Sequence, residues 1–373
     1  MKRISLVTAV GGALLACLAV AQTPTTGPYK VVKTAKTGGD GGFDYIYADN
    51  DGRKLYIPRT QPGKPRISVF NLDTLAPIGE IADVSARGAA TDTKSGHGFV
   101  SSKPVVMFDT KTLAVIKKID VDGGPDGILG DAFSGRIYIL SHSAPNITVI
   151  NAADGTVAGT IDIGGAPEQA ATDGKGRIYV DVEDKDNVAV IDTKTMSVVA
   201  HYDLAGKGGT PAGLALDAKN GVLFVACRNP STFVIMSAAD GKILSTVPIQ
   251  PGTDGAGFNA NTMEAFSSAG DGTVTVVKEI SPSAFAAEQV VQTKAGAKTM
   301  TIDTKNNLIL TMTMEYGPVP PPAAPAVPPA AGPGGPGGPG GPGGASGFGG
   351  GRGRGPGRGP AIPDSFSILA VGK

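Results

Sequence analysis

A short apolar run closed by Asp or Asn recurs seven times in this chain. The copies read DYIYAD (44–49), RGAATD (87–92), DGILGD (126–131), EQAATD (168–173), AGLALD (212–217), DGAGFN (254–259) and KTMTID (298–303). They start 43, 39, 42, 44, 42 and 44 residues apart. A period of this length marks one supersecondary unit that buries its apolar faces against copies of itself. Length alone, 373 residues, would suggest two or three domains, but the repeat overrides that prior.

Each copy continues with a turn rich in Gly, Asn or Lys and then further β-rich runs. Examples are RIYV (177–180), NVAVID (187–192) and TVAGTI (156–161), separated by turn residues. Four short strands per period predict an all-β fold, a seven-bladed β-propeller of four-stranded antiparallel blades. Small residues in the first run suit strands crowded around a central channel. The last copy shows only three runs, near 300–302, 308–312 and 366–371. The run YKVVKT (29–34) at the other end of the repeat array supplies the fourth. This closure leaves no open seam of unpaired strand edges.

Outside the repeat, residues 1–21 carry a basic start, an apolar middle and an AVA end, the pattern of a signal peptide cleaved before Gln22. The chain is therefore expected in the periplasm or secreted, with lipid anchoring at Cys17 the minor alternative and no transmembrane segment after cleavage. Residues 22–28 read as a linker and 29–373 as a single propeller domain. Residues 317–362 interrupt that domain. Of these 46 residues 18 are Gly and 13 Pro, a low-complexity insertion that is expected to be disordered. Basic and acidic residues balance at 33 each; without the leader and the insert the folded part is left at about −5. Of the two cysteines, Cys227 would remain after cleavage, and its strand-like run GVLFVACRN predicts a buried thiol.

The segments RIYV (177–180), NVAVIDT (187–193) and DGTVTVV (271–277) resemble the YVTN-repeat, YncE-like family of exported seven-bladed propellers. The resemblance covers 29–317 and 365–373. It implies the fold and export. Many such proteins have no assigned activity, some are reported to bind single-stranded DNA, and the family offers no catalytic motif to carry over.

In this fold the first residue of each copy should stand at one mouth of the channel. The column reads Asp44, Arg87, Asp126, Glu168, Ala212, Asp254 and Lys298, six of seven charged. Such a ring is costly unless counter-charges, water or a ligand balance it. Loops between second and third strands should add Arg59, His142, Glu183, Arg228, Asn229 and Glu315 at the rim. The expectation is a binding or scaffolding protein, a monomer, holding a small polar ligand or a protein partner at this mouth. No cofactor is predicted. The enzymatic alternative is a metal-dependent, lactonase-like hydrolase with a divalent cation on Asp44, Asp126, Glu168 and Asp254. Arg87 and Lys298 in the same ring count against it, and His97, His142 and His201, spread over three copies, count against a His-rich metal site. No serine-hydrolase elbow or phosphate-binding loop is present. Single-stranded nucleic acid is a further alternative, through Arg352, Arg354 and Arg358. With no Trp and an acidic folded part, the propeller itself lacks the basic, aromatic groove that such binding needs.

Overall fold

A computed structural model describes residues 25–318 and 359–373. The described chain contains 28 strands in seven antiparallel four-stranded sheets, arranged as a seven-bladed β-propeller without helices. In six blades the strands follow one another from the channel outwards in chain order. The seventh places Met300–Asp303 innermost, then Leu308–Thr313 and Ser367–Gly372, and finishes with the N-terminal strand Lys30–Lys36. That last pairing runs from Lys30 opposite Gly372 to Lys36 opposite Ser367.

Packing follows from the period of two. The second and third strands of each blade are buried on both faces, whereas outer strands such as Val115–Ile119 leave most residues exposed. Apolar residues of adjacent blades interlock, as Tyr138, Leu140 and Val149 of the third blade do with Ile178, Val180 and Ile191 of the fourth. The first blade packs likewise on the seventh through Leu55, Ile57, Met312 and Ile368. Innermost strands approach so closely that a Cβ on Gly213 would stand 2.8 Å from the Ala256 nitrogen.

The ring closes on Glu264, a fully buried carboxylate of the sixth blade. It accepts from the Tyr29 hydroxyl and, at 2.7 Å, from Lys373 Nζ. Thr25 hydrogen-bonds to Val290 through both its amide and its hydroxyl, so 25–28 dock on the sixth blade instead of forming a free linker. The insertion is also narrower than its composition indicates. Gly317 N donates to Pro360 O at 2.8 Å, Ile362 N donates to Glu315 O, and Tyr316 bridges Ala361, so both stems form an ordered neck.

Candidate functional site at the channel mouth

The innermost strands do not run straight past the ring column. In the second to sixth blades the pairing register slips across Arg87, Asp126, Glu168, Ala212 and Asp254. A β-bulge at this point bends the strand and re-aims the extra residue, here bringing four charged side chains into contact at the mouth.

There they form a belt of alternating sign. Arg87 Nη1 lies 2.8 Å from Asp44 Oδ2, and its Nε 3.8 Å from Asp126 Oδ1. His142 Nε2 stands 3.5 Å from Asp126 Oδ2 and 3.0 Å from Glu168 Oε2. Arg228 reaches Glu168 at 3.6 Å, Glu183 at 2.5 Å and Asp254 at 2.5 Å. Lys298 pairs with Asp254. Burial pushes the Asp44 carboxyl above its usual range, and the Lys298 and Arg87 charges pull it back. Five carboxylates thus share three fixed cations and one histidine, so the mouth keeps an excess of negative charge. Glu168 is the most enclosed of the belt acids, its side chain only 3% exposed.

Beneath the belt the channel is bridged. The Tyr45 hydroxyl donates to the Glu168 backbone carbonyl at 3.0 Å, joining the first and fourth blades. Burial, with the charges of Glu168, Asp126, Asp44 and Asp254, pushes its phenol well up, so it stays a donor. Gln169 Oε1 accepts from the Leu214 and Ala256 amides at 3.0 and 3.2 Å, and its Nε2 donates to Ala256 O. Around these bridges lies a cavity of about 330 Å³, lined by Tyr45, Leu129, Leu140, Gln169, Phe258 and Met300 among others. The mouth is therefore a charged cup over a shaft lined by both polar and apolar groups.

Every charged member of the expected column reaches this cup, and so do three rim residues, His142, Glu183 and Arg228. The fifth copy contributes a buried Ala212 instead of a charge, and Arg228 of the same blade fills that place. The other three rim residues stand apart from the belt. Arg59 is buried against the Phe366 ring, 3.6 Å from its centroid, and donates to Asp40 O because the 38–42 loop folds over it. Asn229 is exposed, and its backbone amide donates to Gly209 O at 3.1 Å. Glu315 pairs with Lys294 beside the neck of the insertion. Arg352, Arg354 and Arg358 lie outside the described residues. Cys227 is buried as expected, and desolvation raises its thiol to about 12. Sequence reasoning missed Tyr45 and Gln169, which follow ring residues directly and are the two bulky polar side chains where other copies carry Gly or Thr.

The grouping of Asp126, His142 and Glu168 was equally unforeseen. Their ligating atoms all lie within 4.8 Å of one another. Histidines spread over three copies argued against a His-rich site; one histidine flanked by two carboxylates does not need that condition.

No protein-family model and no curated protein matches the chain. Solved structures do. A chain of a mitotic checkpoint complex superposes with a TM-score of 0.64 at 11% identity, covering 82% of this chain and 96% of the other. The RRP9 WD40 repeats give 0.64 at 9% identity, and U3-55K gives 0.62 at 9%, each covering 78% of this chain and 92% of its counterpart. At these identities the likeness concerns the fold alone, the β-propeller architecture already seen in the seven sheets.

Proposed function

We propose that this protein is an exported, YncE-like binding module whose ligand seat is the charged cup, and that the ligand is a small polar molecule bearing a positive group. The observation that carries this reading is Glu168, a carboxylate almost withdrawn from solvent yet set in a belt whose acids outnumber its fixed cations. A cationic group entering the cup would relieve that excess while the arginines orient its polar remainder. The fold supports a binding role, since the blades form a rigid frame on which loops and strand ends present side chains. The acidic mouth does not favour a nucleic-acid backbone.

The test is a melting-temperature screen of the full chain with amines, amino acids and short cationic peptides at low and high salt. A stabilising compound is expected, its effect weakened by salt and abolished in Glu168→Gln and Asp254→Asn. If no compound stabilises, or stabilisation persists in both folded variants, the cup is not the seat.

A further inference from the structure

We propose that Asp126 Oδ2, His142 Nε2 and Glu168 Oε2 together bind one divalent first-row transition-metal ion, of the Zn²⁺ or Mn²⁺ class. This rests on the reading of the mouth as a binding seat and names an inorganic occupant for it. Donor atoms held about 2.1 Å from one ion stand roughly 3.0–3.4 Å apart for right-angle to tetrahedral arrangements. The His142 nitrogen lies 3.0 Å from the Glu168 oxygen and 3.5 Å from the Asp126 oxygen. The third separation falls within the 4.8 Å spread of the group. The spacing is thus already close to that of a coordination sphere. A divalent ion in their midst would be held by one imidazole nitrogen and two carboxylate oxygens at once.

The surroundings support the same assignment. Each carboxylate turns one oxygen towards His142 and the other towards an arginine: Asp126 Oδ1 towards Arg87 at 3.8 Å, Glu168 Oε1 towards Arg228 at 3.6 Å. Outer groups that hold the non-ligating oxygen fix a carboxylate's orientation, as they do around metal centres. Arg87, which together with Lys298 counted against a metal in the sequence, therefore positions one of its ligands, and Arg228 positions the other. Both acids sit on bulged innermost strands of adjacent blades, while His142 is one-third exposed and leaves an entry path. One imidazole with two carboxylates suits a borderline ion better than the all-oxygen shell preferred by calcium or magnesium.

The experiment takes the full chain, stripped with a chelator, and titrates it with Zn²⁺, Mn²⁺ and Ca²⁺ by calorimetry, with a parallel melting curve. Binding of one equivalent of Zn²⁺ or Mn²⁺ is expected, at least tenfold tighter than Ca²⁺. It should weaken at least tenfold in His142→Ala, whose partly exposed site tolerates truncation, and in Glu168→Gln, but not in the control His201→Ala. Absence of stoichiometric binding to the native chain, or binding unchanged in His142→Ala, overturns the proposal. If metals fail while a cationic organic ligand still stabilises, the metal assignment alone falls; if both fail, the binding reading falls with it.

Discussion

The Nη2 atom of Arg228 lies 2.5 Å from Asp254 Oδ1, bridging the fifth and sixth blades at the channel mouth. The same guanidinium faces Glu168 and Glu183 of the fourth blade. One side chain thus compensates three carboxylates drawn from both neighbours of its own blade.

Arg228→Ala should therefore be costly. It leaves Glu168, whose side chain is 3% exposed, without its nearest fixed cation, and Asp254, 12% exposed, with Lys298 alone. The expected loss is roughly 2–4 kcal/mol of folding stability, tempered by the partial exposure of Arg228. Arg228→Lys should recover only part of it, because an ammonium cannot address three acids with a planar fork. Chemical denaturation of the three proteins checks both statements.

Ring closure gives the second expectation. Burial raises the Glu264 carboxyl, but hydrogen bonds from Lys373 and Tyr29 outweigh it and hold it down at about 2. A depressed carboxyl contributes stability above its unfolded value, and that contribution is lost as pH falls towards 2. Tyr29→Phe removes one charge-assisted hydrogen bond, a loss of roughly 1.5–3 kcal/mol near neutrality. Melting curves from pH 7 down to pH 3 should show the deficit narrowing as Glu264 protonates in the variant first.

Asp181 carries the opposite pH signature. It is fully buried; one oxygen accepts the Gln169 amide at 2.5 Å and the other has no hydrogen-bond partner. The equivalent residues Ser101 and Ser268 donate hydroxyls to the Asp126 and Lys298 carbonyls of the next blade. Burial, joined by the charges of Glu168 and Glu183, lifts the Asp181 carboxyl well above its usual range. The folded chain then keeps a proton that the unfolded chain releases near pH 4, so stability falls as pH rises through that window. Asp181→Asn should flatten the slope, its advantage over the native protein growing between pH 4 and pH 8. An unchanged slope would mean that Asp181 is ionised in the fold.

The neck of the insertion makes the fourth expectation. With Gly317 and Pro360 already hydrogen-bonded, deletion of residues 319–358 joins ends that stand side by side. Shortening the loop this far relieves closure entropy, so the propeller should remain folded and gain up to about 2 kcal/mol. Loss of the cooperative melting transition in the deletion protein would contradict this.

The seven-fold period, the closing strand and the column from Asp44 to Lys298 were legible in the amino-acid order. Strand alternation and turn chemistry are local signals, and a strict repeat turns local register into angular position around an axis. Other features depended on how far a side chain reaches between blades. These are Arg228 in the place left by Ala212, His142 between Asp126 and Glu168, Arg59 buried on Phe366, and the Tyr45 and Gln169 bridges. Their positions follow from bulges and blade-to-blade packing, which bring together residues 16 to 307 positions apart. No spacing rule in one dimension encodes that convergence, so sequence alone determined the frame of this protein and tertiary structure decided the chemistry at its mouth.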